Sequence, residues 1–406
     1  MPRPSSILCR ALALCLVAAC CAGARAQAQQ PTAAPATKST PAASADAAED
    51  GSFWDVFGDP EDGKFDMSRF LLEHRGFLVV PIIITEPAVG NGGGLAALFF
   101  DEPEQSQESK DRGEHLPPNM YGAGAFRTSN GSKGGGAAGS FHFYDDQWRY
   151  AVALANASVN LDFYTQGDLL GEHKIGYNLD GTFLFQEVSR RLGHSKMLVS
   201  ARWIYADIAN KLNVESDSQY FQPKQLDKKS SGAGFGFEYD SRDNILSPKK
   251  GWFSKADATF YLPGIGSDDA YQIYRARSLG YIPLGDLWDI AVRGDYRAAR
   301  GDVPFYHLPS IDLRGIPYGR YMAEDVVMFE GELRLKVAPR WTVLGFAGAG
   351  RAWGGDTSFD DAPSRTTHGL GFRYQLARAL GLDVGLDYAW GPEDHAIYLQ
   401  VGSAWR

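Results

Sequence analysis

The sequence predicts an all-β protein: a transmembrane antiparallel β-barrel of sixteen strands, with one short periplasmic helix ahead of it. Three observations carry this reading. From Phe77 to Trp405 apolar and polar residues alternate with period two, which gives each strand one apolar and one polar face. Trp148, Trp252, Trp288, Trp341, Trp353 and Trp390 fall near strand ends, where the membrane–water girdles of a barrel lie. Glycine makes up 46 of the 406 residues and in stretches such as Gly232, Gly234 and Gly236 occupies the polar face. No apolar run reaches the ~18 residues that a membrane helix needs, so strands are left to cross the bilayer.

Residues 1–26 read as a signal peptide. Arg3 and Arg10 open it, Ala11–Ala22 is apolar, and Ala24, Arg25 and Ala26 form a small-x-small sequence with cleavage after Ala26. Val17, Ala18, Ala19 and Cys20 offer a competing lipoprotein box, with Cys20 acylated. The four cysteines, Cys9, Cys15, Cys20 and Cys21, all lie in this stretch, so cleavage leaves no thiol to mispair or to ligate a metal. Residues 27–48, rich in Ala, Pro and Thr, bury too little apolar surface to order and form a disordered linker. Residues 49–76 are an acidic amphipathic periplasmic segment, in which Asp59, Glu61, Asp62 and Asp66 stand among Phe53, Trp54, Phe57 and Phe65. Met67, Phe70, Leu71 and His74 recur at helical spacing behind Asp66 as N-cap, which predicts a docking helix over 67–75. The acids do not match the EF-hand spacing and are expected to be solvated.

Residues 77–406 are the barrel. Phe329, Gly331, Leu333, Leu335 and Val337 share one face, and Glu330, Glu332, Arg334 and Lys336 the other. Leu382–Trp390 splits the same way, with Asp383 and Asp387 on the polar face. Such segments number sixteen, the twelfth over 321–337 and the last over 394–405. The long connections 209–230, 302–320 and 354–365 follow odd strands, while turns such as Asp145–Asp146 follow even ones. Bacterial barrels keep their short turns in the periplasm, so both termini belong there. The stretch 102–118 is long on that side, and no sequence feature accounts for it. Ile397, Leu399, Val401 and Trp405 share a face as the aromatic-ended C-terminal signal of exported barrels, followed here by Arg406. Pro81 removes one ladder donor from the first strand.

Charge and motif content narrow the function. The formal net charge is −9, and −12 once Arg3, Arg10 and Arg25 are removed, which sets nucleic acid aside because its binding rests on Lys and Arg contacts to phosphate. No Gly-x-Ser-x-Gly elbow or His-Glu-x-x-His helix occurs, and the eight histidines are scattered singly. No enzyme activity, cofactor or metal is expected.

Two segments carry more than pattern. The run from Tyr239 to Trp252, with Asp240, Arg242, Pro248 and Gly251, resembles the turn signature of the bacterial surface antigen superfamily, which includes BamA and TamA. Leu313-Arg314-Gly315-Ile316 resembles the Arg-Gly loop motif of the same superfamily. The resemblance covers the barrel alone. Residues 27–76 are too few for a POTRA repeat, so the chain looks like the barrel-only branch. The resemblance implies a loop that folds into the lumen, where Arg314 and Gly315 meet acids on strands 12 and 13. Glu332 is the expected main partner and Glu330 the second. On strand 13 the family's acid is replaced by Gly348, within Phe346-Ala347-Gly348-Ala349-Gly350, so half of that lock is expected to be missing. Asp240, Arg242, Pro248 and Gly251 are read as an architectural staple in a periplasmic turn.

By resemblance the expected role is outer-membrane biogenesis or protein translocation and insertion, with a lateral seam between the first and last strands. The alternatives are a gated solute pore with a wet, mixed-charge lumen and an inert surface-exposed binding protein. Expected partners are outer-membrane lipid and lipopolysaccharide, the barrel-assembly machinery during insertion, and a periplasmic client or partner protein. The chain is expected to act as a monomer.

Overall fold

A computed structural model describes residues 57–69, 78–84, 90–101, 104–111, 119–167, 171–213 and 226–405, apart from 245, 318, 356, 379, 380 and 394. The signal peptide with its Ala26 cleavage site, the 27–48 linker and residues 70–75 of the expected helix lie outside the described residues. Sixteen strands follow one another: β1 (Leu78–Ile84), β2 (Gly92–Asp101), β3 (Asn119–Thr128), β4 (Lys133–Phe143), β5 (Trp148–Gly167), β6 (Gly171–Arg191), β7 (Met197–Asn213) and β8 (Leu226–Asp240). The second half comprises β9 (Gly251–Tyr261), β10 (Tyr271–Pro283), β11 (Trp288–Gly301), β12 (Asp325–Ala338), β13 (Trp341–Trp353), β14 (Arg365–Ala377), β15 (Leu382–Trp390) and β16 (His395–Val401). Each pairs antiparallel with the next in one sheet that runs from β1 to β16. Among the described residues no ladder joins β1 to β16.

Alternation decides what each face meets. Phe235, Phe329 and Leu370 are each 62% exposed, which is the proper state for side chains whose solvent is lipid. Their chain neighbours point inward: Glu330 lies opposite Arg293 and Gly348, and Glu332 opposite Ala291 and Phe346. Strands β5 to β8 run 15 to 21 residues, against 7 to 14 elsewhere. A tilted membrane strand needs only ~9–11, so these four project beyond the bilayer at the long-loop end.

The lumen has two unlike walls. Ile82, Ile84, Phe126, Val159, Leu179, Phe183 and Ile208 bury an apolar surface over β1 to β7. Over β7 to β11 the inward positions are ionic: Arg202 pairs with Asp257 at 2.7 Å, and Arg275, Arg293 and Arg297 surround Asp295 at 2.8, 3.1 and 2.9 Å. A lumen wet and of mixed charge throughout is thus replaced by one that is half apolar. The connection 302–324 crosses between the walls. Its Tyr306 packs on the apolar cluster and shares a 3.0 Å hydrogen bond with Ser230, while Asp312 accepts from Arg297 at 3.1 Å. Residues 321–324 belong to this loop, with a bridge between Ser310 and Met322, so β12 starts four residues later than its sequence pattern.

Part of the long stretch 102–118, residues 104–111, is described. It holds a short helix, α1 (Gln107–Asp111), capped by the Ser106 hydroxyl, which accepts from the Ser109 amide at 3.2 Å. The Ser106 amide and hydroxyl in turn donate to Asp145 at 2.8 and 2.5 Å. Asp145 sits in the β4–β5 turn, where Tyr144, Asp145 and Asp146 have φ of 53°, 55° and 61°. That left-handed run costs strain for residues bearing a Cβ. Asp146 offsets it by accepting from Arg149 at 2.8 Å and from Arg191.

Candidate functional site

Arg314 enters the lumen on the 302–324 loop and is surrounded by carboxylates. Its Nε donates to Glu330 Oε1 at 2.9 Å and its Nη1 to Asp387 Oδ2 at 2.8 Å. Nη2 lies 2.8 Å from Glu332 Oε1 as an ion contact outside hydrogen-bond angles. The guanidinium also lies 3.5 Å from the centroid of the Phe346 ring, a cation–π geometry. All three carboxylates are fully buried. Glu332 is shared with Arg334 at 2.7 Å, and Asp387 takes a two-point pair from Arg373 at 2.6 and 3.0 Å. Burial makes such charge-assisted bonds strong and leaves any unpaired member costly.

This arrangement corrects the expected half lock. Glu330 and Asp387, rather than chiefly Glu332, take the hydrogen bonds, and the acid absent from strand 13 is supplied by β15. A Cβ on Gly348 would lie 3.1 Å from the Leu313 side chain and 3.3 Å from Glu330 Cγ, so the inserted loop fills the space an acid would need. Gly315 has φ +91°, and a Cβ there would come within 2.9 Å of the Trp390 and Gly391 backbone. The bare backbone lets the Gly315 amide donate to the Tyr398 hydroxyl on β16 at 2.9 Å. Arg320 and Tyr321 bind Glu393 in the β15–β16 turn. The loop is therefore fastened to the C-terminal hairpin at three points.

The β8–β9 turn is tied to strands at the other end of the barrel. Asp240 holds Arg242 in a two-point pair of 2.9 and 2.7 Å, and Asp243 and Asn244 accept backbone amides inside the turn. The Pro248 carbonyl accepts from Arg334 at 3.3 Å, the Ser247 hydroxyl from the Asp383 amide at 3.0 Å, and Gly251 closes the turn at φ +106°. The turn thus reaches β12 and β15 from β8, which is more than a local staple does.

The chain end departs from the C-terminal signal pattern. Ile397, Leu399 and Val401 face outward, but β16 stops at Val401 and Trp405 is 3% exposed. Gly402 has φ +81°, a left-handed conformation that turns the backbone out of the ladder. The Ser403 amide then donates to the Leu246 carbonyl at 2.5 Å and its hydroxyl meets Tyr281 at 3.1 Å. The Trp405 indole N–H donates to Glu330 Oε2. One carboxylate, Glu330, therefore holds both the lumenal loop and the C-terminal hook.

The Omp85 superfamily domain model matches residues 119–405. The chain belongs to the Omp85 superfamily. It is a bacterial outer-membrane β-barrel. No curated protein matches it. Among solved structures it is similar to BamA from Haemophilus ducreyi lacking POTRA domains 1–3, with TM-score 0.55, 14% identity, and 81% of this chain and 70% of that one covered. It is also similar to CdiB from Escherichia coli (TM-score 0.55, 12% identity, 80% and 61% covered) and CdiB from Acinetobacter baumannii (0.51, 12%, 80% and 59%). The chain spans less than two thirds of either CdiB chain, and identities this low speak for the fold alone.

Within this Omp85 barrel, sequence reasoning placed Arg314, Gly315, Glu330 and Glu332 together but missed Asp387, Tyr398 and Trp405 as partners. Asp387 carried a signal, since it occupies a polar inward position between Leu386 and Tyr388. Among the described residues no group of His, Cys, Asp and Glu is arranged to hold a metal.

Proposed function

We propose that this barrel acts in outer-membrane biogenesis, inserting or translocating protein through a lateral seam between β1 and β16. One observation carries the reading. Among the described residues no ladder rung joins β1 to β16, and the C-terminal hairpin is held by the lumenal loop, the β8–β9 turn and Trp405. Both edge strands are seven residues long, and Pro81 takes a donor from β1. Short edge strands that part offer their backbone groups as a template for an incoming strand. A periplasmic client, lipopolysaccharide as the surrounding lipid, insertion by the barrel-assembly machinery and a monomeric state belong to the same proposal. A steadily open solute pore is disfavoured by the loop that Arg314 anchors inside the barrel and by the β8–β9 turn that reaches β12 and β15.

Cysteines at Val79 and Val401, outward-facing on the two edge strands, test the seam. In cells that depend on this protein, oxidation of the pair is expected to stop client assembly and reduction to restore it. Full function with the pair quantitatively oxidised sinks the seam reading.

A further inference from the structure

The acids Asp59, Glu61, Asp62 and Asp66 are not merely a solvated segment: Asp59 and Asp66 are buried, Glu61 and Asp62 stay exposed, and all four are ion-paired. They close around two arginines on neighbouring periplasmic turns: Arg340, between β12 and β13, and Arg378, between β14 and β15. Arg340 is 1% exposed in its side chain. Its Nε donates to Asp62 at 2.6 Å, Nη1 to Asp66 at 2.7 Å and to the Phe65 carbonyl at 3.1 Å, and Nη2 to Asp59 and to Asp62 at 3.0 Å. Arg378 donates to Asp59 at 3.1 Å and to Glu61, and its amide donates to Asp66 at 3.1 Å. A guanidinium has five donors in a fixed fork, and the loop supplies acceptors around all three nitrogens.

The loop is also internally organised. The Asp59 amide donates to the Lys64 carbonyl at 2.9 Å, Gly63 to Asp59 at 2.8 Å and Asp66 to Phe57 at 2.8 Å, while the Phe57 and Phe65 rings stack at 5.7 Å. Beyond the ionic contacts, the Tyr374 hydroxyl donates to the Phe65 carbonyl at 2.6 Å and the Met67 amide to the Leu376 carbonyl at 2.8 Å. A preorganised acidic loop seated on two arginines from different turns has the anatomy of a ligand in a receptor.

We propose that Arg340 and Arg378 form a socket on the periplasmic rim that binds an acidic segment, and that residues 57–69 are its resident ligand. The socket fixes the N-terminal arm beneath β12 to β15. Eight residues of chain separate this anchored loop from Leu78 in β1. The inference does not depend on what the seam does.

Hydrogen exchange of the refolded full chain tests it. In Asp59→Asn, Asp62→Asn, Asp66→Asn, which leaves the barrel sequence intact, the Asp66 and Met67 amides are expected to exchange at least tenfold faster, while the β13–β14 ladder stays protected. A free peptide of residues 57–69 is then added to that variant at several millimolar, near the effective concentration a short tether provides. It is expected to restore protection around Arg340, and to fail when Arg340→Glu and Arg378→Glu are also present. Unchanged exchange in the triple variant overturns the latch. Equal peptide binding with and without the arginines, or none at all, overturns the socket.

Discussion

Arg314 stands among three buried carboxylates, two of which keep another cation when it is removed: Arg334 for Glu332 and Arg373 for Asp387. Glu330 has the Trp405 indole as its other partner. Arg314→Ala is therefore expected to destabilise the seated loop by ~3–5 kcal/mol, the usual cost of stranding a buried charge. Faster exchange at the Ile311 and Ile316 amides measures it, and wild-type protection counts against the lock. Arg314→Lys is expected to recover only part, because an ammonium cannot reproduce the fork. The same scale governs the rim. Hydrogen bonding to Arg378 holds Glu61, and to Arg340 holds Asp62, below the ordinary carboxylate range, and for Asp66 bonds from Ser68 and Arg340 outweigh the upward push of burial. Lowered folded values mean stability that is complete above the ordinary range and lost as pH falls through the folded values. The latch is expected to stay protected at pH 5 and to loosen only below the ordinary aspartate value of 3.8. Loosening already at pH 5 contradicts the pairing.

β16 shows how an element can be read correctly in pattern and wrongly in extent. Alternation of Ile397, Leu399 and Val401 continues formally to Ser403 and Trp405, yet Gly402 breaks the strand by a conformation that leaves no mark on period two. Gly402→Val places a β-branched side chain where φ is +81°, at a cost of ~1–2 kcal/mol. The strand is expected to extend and withdraw Trp405 from Glu330. Faster removal of the last residues by carboxypeptidase measures this, and an unchanged rate indicates that the hook does not depend on Gly402. The lipid-facing residues of β12 and β15 were legible because the membrane imposes their period locally. The short helix α1 was not, since five residues carry too little periodicity and are held by a turn 39 residues away.

At the scale of the whole molecule, two segments reach across between strands: the 302–324 loop through Arg314 and the β8–β9 turn through Pro248 and Ser247, linked to each other by Arg334 and the C-terminal hook. Conductance in a planar bilayer is accordingly expected to stay low in the intact protein and to rise only to brief events in Arg314→Ala. Steady current is expected when residues 243–249 are also replaced by a tight turn. Large steady current from the intact protein contradicts this reading and revives the pore.

The sequence by itself determined the fold class, the sixteen strands, the faces of strands such as β12 and β15 and the loop that carries Arg314. Each of these follows from a local rule, because lipid on one side and a lumen on the other repeat every second residue. Only the tertiary structure decided that Asp387 completes the lock, that Trp405 turns inward to Glu330, and that Asp59, Glu61, Asp62 and Asp66 are the counter-charges of Arg340 and Arg378. Those partners lie 73, 75 and 274 to 319 residues apart. Strand register and the paths of the long connections bring them together, and neither is written in the spacing of neighbouring residues.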